Sequence, residues 1–225
     1  MRQILLVLAT VSAVVLVAGC IVSDELTTIT IQPDGSADMV KFCSNIRSTE
    51  KGSKAEEELR RYIEAFDGRN DQDYVRITQA GGEVLEARWV RHEEPYANVV
   101  TARFPNSTTL ENFNTIKGEK GEVIAQAHFT QNGTRRKLSL VIPVPKDEKL
   151  TEQPKPTVKQ LRQEQANGIS ETRLIVAGGQ IIASQGFSVA SDKRSALLDP
   201  TEIDELLRSN SEQVELFLEW ELNDK

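Results

Sequence analysis

The strongest chemical arrangement in this chain of 225 residues is Val17-Ala18-Gly19-Cys20. Ala18 and Gly19 are small enough for an extended backbone to enter a peptidase cleft, and the Cys20 thiol is a nucleophile that can be alkylated. Fewer signals exist elsewhere. His92-Glu93-Glu94 is the one dense polar cluster that contains a histidine. It lacks the HExxH spacing that puts two imidazoles on one helical face, and Pro95 places it in a loop. His128 falls on a strand beside Gln126 and Thr130, a surface position. Ser184-Gln185-Gly186 lacks the first glycine of a nucleophile elbow, and Gly118-Glu119-Lys120-Gly121 has neither the spacing nor the Lys-Ser/Thr pair of a phosphate loop. With two histidines and two cysteines in all, the chain is not expected to hold a His-rich metal site, and no cofactor motif stands out; its 34 Asp and Glu leave a catalytic carboxylate pair open.

What precedes Cys20 gives the tetrapeptide its meaning. Arg2 is a short basic region, and Ile4 to Val17 is apolar apart from Thr10 and Ser12. That stretch is short of the roughly 20 residues a bilayer span needs and fits a segment that is removed. Val17, Ala18, Gly19 and Cys20 together resemble the lipobox of bacterial lipoproteins. The resemblance implies a signal peptide over 1–19, type II cleavage before Cys20, and a diacylglyceryl group on the Cys20 sulfur, often with palmitate or a similar chain on the new amino terminus. Two or more chains give stable attachment, because each buried CH₂ contributes about 0.8 kcal/mol and one chain alone holds only marginally. Release as an ordinary secreted protein and retention as an uncleaved anchor are the competing readings.

Charge supports an aqueous, envelope-side domain. The net charge is −7, and removal of Arg2 makes it one unit more negative. Nucleic acid selects clustered Lys and Arg, so it is excluded as a partner. Anionic headgroups also repel such a domain, leaving the lipid to hold it to the membrane. If Cys20 is lipidated, Cys43 has no intramolecular partner and is expected to be a small buried hydrophobe, alternating inward with Met39 and Lys41 while Phe42 points the other way. Without the lipid, a Cys20–Cys43 bridge stays open.

The elements that must carry these residues read as follows. Residues 20–25 are a lipidated terminus and tether, and 26–225 an extracytoplasmic domain. Leu26 to Gln32 and Ala37 to Ile46 form a hairpin about Pro33-Asp34-Gly35-Ser36. Ser53 and Glu56 predict a capping box for a helix with Ala55, Leu59, Tyr62, Ile63 and Phe66 on one stripe, stopped by Gly68. Tyr74 to Gln79 and Glu83 to Val90 predict a second hairpin about Ala80-Gly81-Gly82, followed by a strand over Asn98 to Phe104 and a short helix or turn over Ser107 to Ile116. Asn132-Gly133 joins Glu122–Thr130 to Arg135–Val144. Residues 143–156 form a proline-rich internal linker, and Thr157 to Asn167 a weak helix. Thr172 to Ala177 and Gln180 to Ala190 predict a hairpin about Gly178-Gly179. Asp199-Pro200-Thr201-Glu202 starts a second firm helix. Val214, Leu216, Leu218, Trp220 and Leu222 form the apolar face of a closing strand. The sum is an α+β class: an antiparallel sheet built from hairpins, with two amphipathic helices packed on it. A loose echo between Ile77–Val84 and Ile175–Ile182 raises an internal duplication as an alternative to generic hairpin chemistry.

The early Pro33-Asp34-Gly35-Ser36 turn after the cysteine and the late Gly178-Gly179 turn before a closing strand are similar to the layout of LppM-like bacterial lipoproteins. That resemblance implies binding of an extracytoplasmic lipid or envelope component, and it brings no binding residues with it. The expected function is a lipid-anchored, non-catalytic binding or envelope-assembly module. Its partners are then the membrane through the lipid and an envelope protein or lipid ligand. A structural surface lipoprotein and a carboxylate-dependent envelope hydrolase are the alternatives.

Overall fold

The structure is a computed structural model, and it describes residues 21–118, 121–144, 170–208 and 212–223. The expected signal peptide and Cys20, the linker beyond Val144 and the weak helix over Thr157 to Asn167 lie outside the described residues.

The fold is α+β, as expected, but its strands form two sheets that face each other across a shared core, where one sheet was expected. The first hairpin pairs β1 (Ile21–Ile31) with β2 (Ala37–Ser48) in the register Ile31↔Ala37 to Ile21↔Ser48. β1 thus begins five residues earlier than expected, so Ile21–Glu25 belongs to the sheet and not to a tether. β3 (Glu83–Arg91) and β4 (Tyr96–Phe104) extend the sheet beyond β2. On the other side of β1 lie β8 (Ser170–Val176), β11 (Ser195–Leu198) and β10 (Phe187–Val189), giving the order β10-β11-β8-β1-β2-β4-β3. β8 runs parallel to β1, the exception to the antiparallel expectation. The second sheet has the order β5-β6-β7-β12-β9, from β5 (Ile116–Lys117), β6 (Val123–Asn132), β7 (Arg135–Pro143), β12 (Gln213–Leu222) and β9 (Gly179–Gln185).

The closing strand behaves as its alternation requires. Val214, Leu216, Leu218 and Trp220 are all buried, and Leu222 at the end of the strand is half-buried. Leu218 and Trp220 join Ile29, Ile31, Met39, Val100 and Phe104 of the first sheet in one core, and Val214 and Leu216 pack with Ile142, Ile203 and Leu207 in another.

Helices cover the remaining inner surface. α1 (Ser53–Asp67) stands where its apolar stripe predicts and ends at Gly68. Its N-cap is Gly52, with no side-chain capping bond, so the Ser53–Glu56 box does not form: Ser53 is already the first helical residue. α2 (Gln72–Gln79) replaces the strand expected over Tyr74 to Gln79. The Asp71 side chain accepts the N–H groups of Asp73 and Tyr74 and starts the helix. Gly81 N–H then bonds to Thr78 O and Gly82 N–H to Ile77 O, the two bonds of a Schellman stop. Gly81 takes φ 86°, the left-handed turn that this stop needs. Ala80-Gly81-Gly82 is therefore a helix terminus and not a hairpin turn. α3 (Ser107–Asn114) is capped by Asn106, and α4 (Pro200–Leu207) by Asp199 with Pro200 at its start, as expected.

Gly178-Gly179 also differs from expectation. It carries the chain from β8 in the first sheet to β9 in the second, so the two strands are not a ladder. Gly179 suits the crossing because a Cβ there would lie 2.6 Å from the Glu221 carbonyl oxygen. The stretch expected as Gln180 to Ala190 breaks at Gly186, after which β10 returns to the first sheet. The echo between Ile77 and Ile175 dissolves at the same point: Ile77 is helical and Ile175 lies on a strand. The two segments therefore share composition without sharing structure.

Candidate functional site

Val17, Ala18, Gly19 and Cys20 lie outside the described residues, but their attachment point does not. Ile21 is already paired with Ser48, so Cys20 sits one peptide unit from an ordered strand. At the same end of the sheet, Arg91 pairs with Ala97 and Ile46 with Tyr96, which places the β3–β4 turn there too. His92, Glu93, Glu94 and Pro95 form that turn and are all exposed, with a cis bond before Pro95. The His92 ring lies edge-on to Trp89 at 5.2 Å and to Tyr96 at 6.5 Å. His92 is thus part of an aromatic group with Tyr62 and Phe66 behind it, and not part of a ligand set. His128 is exposed on β6, away from that group. Among the described residues no three His, Cys, Asp or Glu side chains converge to hold a metal ion.

A second polar cluster lies inside, beneath α1 and α2. Met39, Lys41 and Cys43 point inward from β2, as the alternation predicts, and all three are buried. The Lys41 ammonium lies 2.9 Å from Asp73 Oδ2 on α2 and 3.1 Å from Glu25 Oε2 on β1. Burial works against its charge, but the Asp73 and Glu25 carboxylates outweigh it, and the net effect holds Lys41 protonated more firmly than in water. Beside it, burial pushes the Cys43 thiol up to about 12. Burial likewise raises the Tyr62 phenol, whose oxygen accepts a hydrogen bond from Asn98 Nδ2 at 2.9 Å. At neutral pH this group holds a locked ammonium, a protonated thiol and a protonated phenol. None is activated as a nucleophile or base. The cluster ties β1, β2 and α2 together. Sequence reasoning placed Lys41 on the inner face without following the consequence: an inward lysine requires a carboxylate opposite it.

Carboxylate catalysis would require a pair of acids converging in a cleft, one with a raised pKa. Burial does raise the Asp71 carboxyl, but that side chain already accepts two backbone N–H groups as the α2 cap. It is committed to structure.

The outer face of the seven-stranded sheet has a different character. The register sets Leu26, Phe42, Val99 and Arg88 in one row and Thr28, Val40, Thr101 and Glu86 in the next. Leu26 is 40% and Val40 45% exposed, whereas Ile29, Met39 and Val100 on the opposite side are buried. α1, α2 and the second sheet pack on that opposite side. Toward the β3–β4 turn the outer face sinks into a shallow depression of about 320 Å³, lined by Phe42, Ser44, Asn45, Val90, Arg91, Pro95 and Ala97. Such a mixed apolar, hydroxyl and arginine lining suits recognition of an amphipathic group. The sequence signal for it was the apolar outward positions Leu26, Val40 and Phe42 on strands that also bury their other face.

No protein-family model matches the chain, and no curated protein sequence matches it. Among solved structures it is similar to the folded domain of Mycobacterium tuberculosis LppM, determined by NMR, at 11% sequence identity and a TM-score of 0.44. The match covers 94% of this chain and 96% of that one.

Proposed function

We propose that this chain is a bacterial lipoprotein, cut before Cys20 and held to the membrane by lipid on the Cys20 sulfur. Its domain faces the periplasm or cell exterior and binds an envelope component, protein or lipid, without catalysing a reaction. The observation that carries the reading is Val17-Ala18-Gly19-Cys20 closing an apolar run of signal-peptide length. One feature is consistent with it: no helix among the described residues is long and apolar enough to cross a membrane. The binding role is supported by the outer face of the seven-stranded sheet, where Leu26 and Val40 are exposed beside half-buried Phe42 and Val99.

Globomycin, which blocks type II signal peptidase, tests the anchor. The treated cells should accumulate a larger, uncut precursor, and the wild-type chain should take up labelled palmitate while Cys20→Ser does not. Normal processing under globomycin together with no palmitate on the wild type would overturn the proposal.

A further inference from the structure

The position of β1 fixes more than attachment. We infer that the end of the two sheets carrying Ile21 and the β3–β4 turn is the end this protein lays against the bilayer surface, with the outer-face depression opening at headgroup level. The inference rests on the proposed lipidation of Cys20.

The argument is one of reach. Consecutive Cα atoms stand about 3.8 Å apart, and Ile21 is already locked to Ser48 in the sheet. Lipid on Cys20 therefore enters the membrane within a few ångströms of the fold, with no tether to let the domain tumble. Strand direction then orders everything else. β1 rises through eleven residues, which at about 3.3 Å each separates its ends by roughly 30 Å. The Pro33–Ser36 turn lies at the upper end. It is stitched to the β6–β7 turn there by hydrogen bonds from Arg136 Nε to Pro33 O at 2.9 Å and from Gln131 Nε2 to Asp34 O at 3.4 Å. The lower end holds Ile21, Arg47, Arg91, the His92–Pro95 turn and Tyr96.

The chemistry of the lower end fits the zone where headgroups meet acyl chains. Val90 is 52% exposed beside Pro95. Half-buried Tyr96 stands edge-on to Trp89 at 6.0 Å, and a tyrosine ring, apolar in body and polar at the tip, favours the membrane interface. Trp89 itself packs inward on Phe66 at 4.8 Å, with its N–H held by Asp67 Oδ1 at 2.8 Å. Arg91 offers a phosphate contact, while Glu93 and Glu94 at the turn tip disfavour a strongly anionic surface. The partner is thus a bilayer of modest negative charge.

Fluorescence energy transfer to a membrane-surface acceptor tests the orientation. A donor dye is placed on Glu93→Cys at the lower end or on Gln131→Cys at the upper end. Both are exposed positions, and the native Cys43 thiol is buried and protonated. Each full-length protein is processed in cells and purified from membranes. It is checked for a wild-type circular dichroism spectrum and reconstituted into phosphatidylcholine vesicles that contain a minor fraction of phosphatidylglycerol and an acceptor-labelled lipid. The expected result is several-fold stronger transfer from position 93 than from position 131. Equal or reversed transfer in a palmitate-labelled protein would overturn this inference while leaving the lipoprotein reading intact. Absence of palmitate from the same preparation would overturn both. A flexible Gly/Ser insert of about 20 residues after Cys20 gives the chain a reach of about 25 Å and should shrink the difference. A difference that the insert leaves undiminished would refute the argument from reach.

Discussion

Replacing Lys41 by Met probes the buried cluster directly. Met keeps the length and apolar stem of the side chain but removes the ammonium that lies between Glu25 and Asp73. The two carboxylates then lose the Lys41 ammonium that stands between them. Removing one partner from a buried ion pair costs roughly 3–5 kcal/mol. Here the Glu25 side chain retains 15% and Asp73 32% exposure, so both can recover part of their hydration. That argues for the lower end, about 2–3 kcal/mol at pH 7, or a fall in melting temperature of about 5–10 °C for a domain of this size. Urea unfolding and thermal melts read the loss. The mechanism makes a further demand. Adding Glu25→Gln to Lys41→Met removes one of the two charges and should restore part of the stability, so that a double-mutant cycle shows coupling. The reasoning is refuted if Lys41→Met lies within about 0.5 kcal/mol of wild type, or if the double variant is no more stable than the single one.

Two further outcomes follow from local features. The Cys43 thiol has a folded-state pKa raised from 9.0 to about 12, so it contributes stability that is full below pH 9 and lost as the pH rises toward 12. Cys43→Ala should therefore flatten the alkaline limb of a denaturation profile between those values, and an unchanged limb would contradict the assignment. At α3, Asn106 Oδ1 accepts the Thr109 N–H at 3.0 Å and the Thr109 hydroxyl accepts the Asn106 N–H in return. Asn106→Ala should cost about 1 kcal/mol in urea unfolding, and Asn106→Ser should recover most of it.

Patterns whose cause is local were legible in the sequence. The stripe from Ala55 to Phe66, the Asp199-Pro200 start and the alternation from Val214 to Trp220 each state their own structure, because cap chemistry and period depend on neighbours in the chain. Tyr74–Gln79 was not legible. Tyr, Val, Ile and Thr favour strands, yet the Asp71 cap, the Gly81-Gly82 stop and the complete burial of Ile77 decide for a helix. Gly178-Gly179 shows a different limit. A turn between strands of one sheet and a turn that passes between two sheets use the same residues, and only the Glu221 carbonyl pressed against Gly179 distinguishes them. The site divides the same way. The inward direction of Lys41 follows from its place on β2, but its partners come from sequence positions 25 and 73, and no local pattern joins them. The depression at the outer face likewise assembles β2, β3 and β4 with the Pro95 turn.

The most direct test of the central claim is the mass of the amino-terminal peptide of the mature protein, isolated from bacterial membranes. The account predicts a peptide that begins at Cys20 and carries a diacylglyceryl group on its sulfur. A peptide that begins at Met1 or at any other residue, or an unmodified Cys20 thiol, would contradict it.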